Sequence, residues 1–352
     1  MLSREMSSES AYLFSYVLLG CESLLVAIAL VYHAKVRMPR PAIGVYNRAD
    51  ILIMSLLVVV MPVIYVAISG AIVSAFFCLI CYAALQVTIA PLARGRASWL
   101  IAAGLCAADL VATEWGGPHQ ALLVNDVVIG IAVVGAANLW VQSGMRSAHI
   151  AWFAGFLAVY DFVATSVTSS TDDFIARVSG IPFSPEWVFT LGPNPVAIGL
   201  GDLLLLSVFP LAAHRSFGAV AGIVAMAIGT AVVAADTVAY HYGVLHGAAP
   251  VLTVLGPLVV VQHHLWRRAR GRERTTGEWR RNAVPVAAGA VLADHDIRST
   301  DAVPLPDGPT GFWVAIDGTR VVGVAPTPGA ARRKARENGC TAVPQVREIT
   351  AT

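Results

Sequence analysis

Charged residues are scarce in this chain. Asp, Glu, Lys and Arg make up 13% of its 352 residues, against roughly 25% in an ordinary soluble domain. Lysine is almost absent, since only Lys35 and Lys334 occur, and both lie outside the apolar segments of the chain. A retinal protein, which needs a lysine inside a membrane helix to form its Schiff base, is therefore excluded.

Cysteine is also rare, and most of it lies in apolar surroundings. Four of the five cysteines fall within predicted membrane spans, and the fifth is in the tail: Cys21, Cys78, Cys81, Cys106 and Cys340. The spacing Cys78-x-x-Cys81 occurs in metal and redox sites. Because it stands here in an apolar segment without a nearby Cys or His, it favours a packing role.

Long apolar runs dominate the first three quarters of the chain. The mean hydropathy is +0.68, and runs of about 18 or more apolar residues recur between residues 11 and 265. The sequence therefore predicts an all-α polytopic membrane protein with nine transmembrane helices. The predicted spans are residues 11–32, 51–68, 71–92, 97–114, 124–141, 148–169, 195–213, 217–238 and 249–266. The first span is long and lacks a small-residue cleavage site, so we expect no cleavable signal peptide.

Positive charge alternates between the predicted connections. The first connection carries Lys35, Arg37, Arg40 and Arg48, and further arginines occur in the third, fifth and seventh connections and after the last span. The alternate connections hold almost none. The positive-inside rule then places the N-terminus outside and the C-terminus in the cytoplasm. Abundant alanine and arginine indicate a GC-rich bacterial source, so the expected location is a bacterial plasma membrane.

The composition changes after residue 266. Residues 1–266 are predicted to form the transmembrane domain, and residues 267–310 form a basic and then Pro- and Ala-rich linker. Residues 311–352 are predicted to form a small α+β cytoplasmic domain of ββαβ order, because Asp317-Gly318 joins two β-rich runs as a hairpin turn. A unit of about 40 residues is marginally stable alone, so we expect it to dimerise or dock.

Two carboxylates in neighbouring spans point to chemistry. Asp161 follows Tyr160 in the sixth predicted span, and Asp202 ends a Gly-Leu-Gly-Asp sequence in the seventh. A lone carboxylate near the bilayer centre costs roughly 2.5–3.5 kcal/mol. At about 1.5 Å of rise per residue, both lie roughly 10–12 Å below the same outer membrane face. Two facing carboxylates can share one proton and activate water.

The residues beside these carboxylates suit a substrate site. Gly199 and Gly201 flank Leu200 directly before Asp202. Glycine lets another backbone approach closely and loosens the local helix, as a site for an extended substrate requires. The Tyr160 hydroxyl is either a hydrogen-bond partner near the site or part of an aromatic packing contact.

This ordered set of motifs resembles the presenilin and signal peptide peptidase family of intramembrane aspartyl proteases. That family has nine spans, with its two aspartates in the sixth and seventh and a Pro-Ala-Leu sequence at the start of the ninth. Here Pro250-Val251-Leu252 stands at that place, with Val251 in place of alanine and Thr253 where a second proline is often found. The resemblance covers about residues 11–266. The predicted outside N-terminus is similar to that of signal peptide peptidase.

The resemblance implies an aspartic endopeptidase that hydrolyses peptide bonds within transmembrane segments. Asp161 and Asp202 are its implied catalytic pair, one as the general base on water and the other, protonated, polarising the scissile carbonyl. The implied substrate-binding residues are Tyr160, Gly199, Leu200, Gly201, Pro250, Val251 and Leu252. The implied partners are the lipid bilayer and transmembrane helical peptides, such as remnant signal peptides or type II single-pass proteins, and no nucleic acid. This mechanism needs no metal and no cofactor.

Two other functions stay open at this point. An ion- or proton-coupled transporter would use four intramembrane carboxylates as a relay, namely Asp109, Asp161, Asp202 and Asp236. Carriers often show an inverted internal repeat, and the chain has no convincing one. A prepilin-type peptidase also uses Gly-x-Gly-Asp, but it works at the cytoplasmic face, whereas this pair is predicted nearer the outer face. The sequence fixes neither the natural substrate nor the oligomeric state.

Three further polar residues of the spans are interpreted as structural. Asp236 near the outer end of the eighth span and His263 at the end of the ninth are interpreted as interfacial residues. Glu22 in the first span is expected to pair with a polar residue of another helix.

Overall fold

A computed structural model describes most of the chain. The described residues are 2–38, 46, 48–93, 95–168, 170–189, 196–241, 244, 251–274, 279, 312–317, 320–338, 340 and 344–348. Most of the predicted linker, residues 267–310, lies outside them, as does Pro250. The chain divides into two compact units, Met1–Arg268 and Ala269–Thr352.

The first unit is almost entirely helical. Its helices are α1 (Leu2–Lys35), α2 (Arg48–Ala67), α3 (Gly70–Ile89), α4 (Arg96–Trp115), α5 (Pro118–Gln142), α6 (Ser147–Phe162), α7 (Ser170–Val178), α8 (Leu200–Phe217), α9 (Ala219–His241) and α10 (Val251–Arg270). A π-helical turn, Val163–Val167, continues α6. Two short antiparallel strands, β1 (Glu186–Phe189) and β2 (Val196–Gly199), precede α8.

Seven helices in the described part of the chain, α1 to α6 and α9, are long and apolar enough to cross a membrane. Their outer faces carry many exposed large apolar side chains, such as Leu52 and Leu100, each 71% exposed. An apolar surface of this extent is typical of a membrane interaction site. The first unit is thus a membrane-embedded helical bundle. The helices at the seventh and ninth predicted spans, α8 and α10, are not among the seven.

Helix α8 is the central helix of the bundle. Nearly all its side chains from Leu203 to Phe217 are buried, and it packs against α1, α5, α6 and α9. A helix that is apolar on all faces belongs inside a bundle. Its burial explains how α8 carries Arg215, which is 1% exposed and donates to the Val141 carbonyl at 2.8 Å.

The prediction of one continuous span over residues 195–213 is wrong at its start. Residues 196–199 form β2, which pairs with β1 in the register Glu186 to Gly199 and Phe189 to Val196. The β-branched Val196 and Ile198 favour an extended backbone, and β1 satisfies its hydrogen bonds. The helix begins only at Leu200, whose N–H donates to the Pro185 carbonyl at 2.9 Å.

The second unit has the predicted ββαβ order. It consists of β3 (Trp313–Asp317), β4 (Arg320–Ala325), α11 (Pro328–Glu337) and β5 (Gln345–Glu348), with β3 central in an antiparallel sheet. The Thr327 hydroxyl accepts the Ala330 N–H and caps α11. Gly323 lets α11 approach the sheet, because a Cβ there would lie 2.5 Å from the Ala331 carbonyl oxygen.

Candidate active site

Asp161 lies where α6 changes into a π-helical turn. It is the penultimate residue of α6, and the π turn begins two residues later at Val163. Single π turns are often found at functional sites. Within this turn, the Thr165 hydroxyl donates to Asp161 Oδ1 at 3.3 Å. The turn therefore provides one hydrogen-bond donor to the carboxylate.

The start of α10 provides the other donors. The Thr253 backbone N–H donates to Asp161 Oδ2 at 3.0 Å, and the Thr253 hydroxyl donates to the same oxygen at 3.3 Å. The Leu252 backbone N–H also bonds to this carboxylate. First-turn N–H groups have no partner within their own helix and form the positive end of its dipole. Asp161 therefore caps α10 from a different helix.

A close contact between α6 and α10 sets the distance between Asp161 and the start of α10. A Cβ on Gly256 would lie 2.4 Å from the Ala154 carbonyl oxygen and 2.8 Å from the Ala158 Cβ. Small residues let two helices approach in this way. Because Gly256 is one turn after Thr253, the contact holds the start of α10 against Asp161.

Asp202 lies in the first turn of α8. It is the third residue of this helix, and Gly199 is the N-cap. The Gly199 backbone interacts with the Asp202 carboxylate. A Cβ on Gly199 would lie 3.1 Å from Asp202 Oδ2. The sequence predicted Asp202 to lie well inside a helix. This prediction is wrong, because the residues before Leu200 form β2.

Three carboxylates lie close enough to interact electrostatically. Asp202 interacts electrostatically with Asp161 and with Asp236 of α9, and Asp236 also interacts with Asp161. Asp236, interpreted from the sequence as interfacial and grouped with the pair only in the transporter alternative, is thus a neighbour of the pair. One signal existed: Asp202 and Asp236 stand at nearly equal separations from Gly218, the single residue that joins α8 to α9. Antiparallel helices with so short a connection bring such residues to one level.

A cavity of about 240 Å³ lies beside Asp161. Four predicted site residues line it: Tyr160, Asp161, Gly201 and Leu252. The rest of the lining is apolar and comes mainly from α6 and α8, with Phe153, Leu157, Leu205 and Val208 among it. Such a cavity admits an apolar chain next to a carboxylate.

Helix α5 holds β1 from the side opposite β2. The Asn125 amide donates to the Ser184 carbonyl at 3.2 Å and to the Glu186 carbonyl at 3.0 Å. Asp126 Oδ1 accepts the Val188 N–H at 2.9 Å. Both edges of β1 are thus occupied, whereas β2 has a strand partner on one edge only within the described residues.

Asp109 anchors the chain just before β1. It is fully buried, and its Oδ2 accepts the Phe183 N–H at 2.8 Å. Phe183 has φ of +59°, a left-handed conformation that is uncommon outside glycine. The Ser74 hydroxyl donates to the neighbouring Pro182 carbonyl at 3.1 Å. Asp109 therefore positions the connection that leads into β1, and it makes this contact away from the carboxylate pair.

The other predicted residues occupy several environments. Leu200 joins β2 to α8, and Val251 is the half-buried first residue of α10. Glu22 meets a polar residue of another helix, as expected, because the Thr230 hydroxyl of α9 donates to it at 3.4 Å. His263, interpreted as interfacial, is instead buried, with its Nδ1 2.9 Å from the Ser147 hydroxyl oxygen.

The arrangement is of a kind suited to acid–base chemistry. Two carboxylates that interact electrostatically can share a proton, so that one accepts a proton while the other donates one. Among the described residues, no group of three His, Cys, Asp or Glu side chains is arranged to hold a metal ion.

No protein-family model matches the chain, and no curated protein matches it significantly.

Proposed function

We propose that the protein is an intramembrane aspartyl protease of the presenilin and signal peptide peptidase type. The observation that carries the proposal is that Asp161 of α6 lines an apolar cavity and interacts electrostatically with Asp202 of α8. Tyr-Asp, Gly-Leu-Gly-Asp and the segment before Thr253 stand in the order that this family has along its chain. The start of α10, in contact with Asp161, supports the same reading.

The proposed reaction uses only water and the two carboxylates. The ionised carboxylate takes a proton from water as the water oxygen attacks the carbonyl carbon, and the protonated carboxyl gives its proton to the carbonyl oxygen. The resulting gem-diol then collapses. Its C–N bond breaks, the departing nitrogen takes a proton from one carboxyl, and a hydroxyl proton returns to the other carboxylate. The products are a carboxylic acid and an amine, and the pair again holds one proton.

The proposed substrates are transmembrane helices. A helix hides its carbonyl groups in its own hydrogen bonds, so the segment to be cut has to unwind. The second edge of β2, directly before Asp202, offers backbone groups to which an unwound segment can pair as an added strand. Remnant signal peptides and type II single-pass proteins fit the proposed orientation.

The proposal includes nine spans, formed by α1 to α6, α8, α9 and α10. Helix α8 carries Asp202 and Arg215, which lower its hydropathy, but its burial within the bundle spares these groups contact with lipid. From the arginine distribution we propose an outside N-terminus and a cytoplasmic C-terminus, and from the alanine- and arginine-rich composition we propose a bacterial plasma membrane.

The direct test is cleavage of transmembrane peptides by the purified protein, with the products read by mass spectrometry. We expect cuts within the apolar stretch by the wild type and none by Asp161→Asn or Asp202→Asn, which keep the side-chain shape. Glu22→Gln is the matched control, because Glu22 is a buried carboxylate of α1 whose hydrogen-bond donors are the Thr230 and Ser23 hydroxyls. Cuts that persist in either Asp variant, or no cuts by the folded wild type over a varied panel, would contradict the proposal.

A proton-coupled transporter is the second candidate, and one observation favours it. Asp236 adds a third carboxylate next to the pair, and rows of carboxylates carry protons in membrane proteins. Proton uptake by proteoliposomes separates the two functions. A transporter moves protons and loses this flux in Asp236→Asn, whereas a protease cleaves peptides without any flux.

A further inference from the structure

A single residue of α10 holds one oxygen of Asp161 with two donors. The Thr253 N–H and hydroxyl lie 3.0 Å and 3.3 Å from Oδ2. The other oxygen, Oδ1, accepts the Thr165 hydroxyl at 3.3 Å. The last side-chain torsion of an aspartate takes a broad range of values when no hydrogen bond restrains the carboxylate. Donors on both oxygens remove this freedom.

We propose that Thr253 is a positioning residue that fixes the orientation of the Asp161 carboxylate towards Asp202 and the cavity. The inference rests on the proposed protease function, in which Asp161 has to meet a water molecule and a carbonyl group at defined distances. Thr253 acts through Asp161 and not on the substrate itself.

The place of Thr253 in the helix explains why it can do this. It is the third residue of α10, so its N–H belongs to the first turn and points out of the helix end without an intrahelical partner. Threonine adds a hydroxyl on a side chain whose first torsion is restricted by β-branching. Because Gly256 has no side chain, α10 packs closely against Ala154 and Ala158 of α6. This contact fixes the position of Thr253 relative to Asp161.

Three substitutions separate the two donors. Thr253→Ser keeps the N–H and the hydroxyl, and Thr253→Val keeps the shape and the N–H but removes the hydroxyl. Thr253→Pro removes both donors, and proline is tolerated in the first turn of a helix. Thr168→Val is the matched control, because the Thr168 hydroxyl bonds to the Ala164 carbonyl at 3.1 Å in the segment next to the site.

The first readout is the kinetics of peptide cleavage. Loss of a hydrogen bond to a charged group predicts a fall in kcat of about tenfold for Thr253→Val and about a hundredfold for Thr253→Pro. We expect KM to stay within about twofold, since the contact is not made to the substrate. Thr253→Ser and Thr168→Val should cleave like the wild type. A wild-type rate in both Thr253→Val and Thr253→Pro overturns the inference.

The second readout does not depend on cleavage. A hydrophobic carbodiimide attaches to protonated carboxyl groups, and mass spectrometry locates the product. Removing donors to Asp161 disfavours its ionised form, so we expect faster labelling of Asp161 in Thr253→Val and Thr253→Pro than in the wild type, Thr253→Ser and Thr168→Val. If the wild type cleaves no peptide, the proposed function fails, and labelling alone decides the contact. Equal labelling in all five proteins overturns it.

Discussion

At the scale of single residues, Gly199 is needed because the Asp202 carboxylate lies against it. A methyl group at this position would lie 3.1 Å from Asp202 Oδ2, closer than the usual 3.5–4.0 Å contact between nonbonded atoms. We therefore expect Gly199→Ala to fold, since φ of −65° and ψ of 147° suit alanine, but to displace the carboxylate. The expected loss in kcat is about tenfold or more, measured on a peptide that the wild type cleaves.

Gly201→Ala provides the comparison for this substitution. A Cβ at Gly201 meets nothing within 4 Å, although the residue lines the cavity. If Gly199→Ala retains as much activity as Gly201→Ala, crowding of Asp202 is not what the glycine prevents.

Sequence reasoning at this scale finds residues that stand in a motif and misses residues that act through packing. Asp161 and Asp202 are prominent because each is a carboxylate in an apolar segment, and the structure brings them together. Asp236 is also a carboxylate in an apolar segment, but its place near the end of a span led to an interfacial interpretation, and Thr253 is an ordinary polar residue at the start of a helix. Their nearness to the pair depends on the rotation of α9 and on the close approach of α10 at Gly256, and hydropathy encodes neither.

At the scale of secondary structure elements, β1 depends on α5. Asn125 is 5% exposed and donates to two carbonyl groups of the β1 segment. Asn125→Ala leaves the Ser184 and Glu186 carbonyls without these donors, at about 1–3 kcal/mol for each buried group. We expect faster amide hydrogen exchange across β1 and β2, measured by mass spectrometry in detergent.

The control for this loss is Gln120→Ala, at the exposed start of α5, where the side-chain oxygen accepts the Gly117 N–H of the same helix start at 3.2 Å. Unchanged exchange in Asn125→Ala would mean that β1 is held without α5.

The same strand pair shows why the seventh span was predicted with a wrong start. Hydropathy treats Val196 and Ile198 as helix-compatible, whereas pairing with β1 selects the extended form.

The strand pair should also respond to pH through Glu186. Burial raises the pKa of Glu186, and hydrogen bonds from the Ser179 hydroxyl oppose part of this rise. A raised pKa in the folded state means that the protonated form favours the folded strand pair. This stabilisation is full below the unfolded pKa of about 4.3 and is lost as pH rises through the folded value.

We therefore expect protection of the β1 and β2 amides, corrected for intrinsic exchange rates, to fall as the pH rises above the unfolded pKa of about 4.3. Glu186→Gln cannot ionise and should show a flat profile over the same pH range. Protection that rises with pH in the wild type, or an identical slope in Glu186→Gln, would contradict this account.

At the scale of the whole molecule, orientation decides which substrates can reach the site. The arginine distribution predicts an outside N-terminus and a cytoplasmic C-terminus, so nine spans place the connection between α6 and α8 outside. Cys340, partly buried in the second unit, reports the C-terminal side. Asp172→Cys, at an exposed position of α7, reports the connection. A membrane-impermeant maleimide should label position 172 in intact cells and Cys340 only in inside-out vesicles.

The result separates mechanisms as well as topologies. Labelling of Cys340 from outside would invert the chain and put Asp161 and Asp202 near the cytoplasmic face, where a prepilin-type peptidase works. Labelling of both positions from the same side would mean an even number of crossings between them, which the proposed spans α8, α9 and α10 do not allow. Labelling of position 172 from outside and of Cys340 from the cytoplasmic side leaves the pair near the outer face. A substrate with a cytoplasmic N-terminus then crosses most of the membrane before its chain reaches the carboxylates.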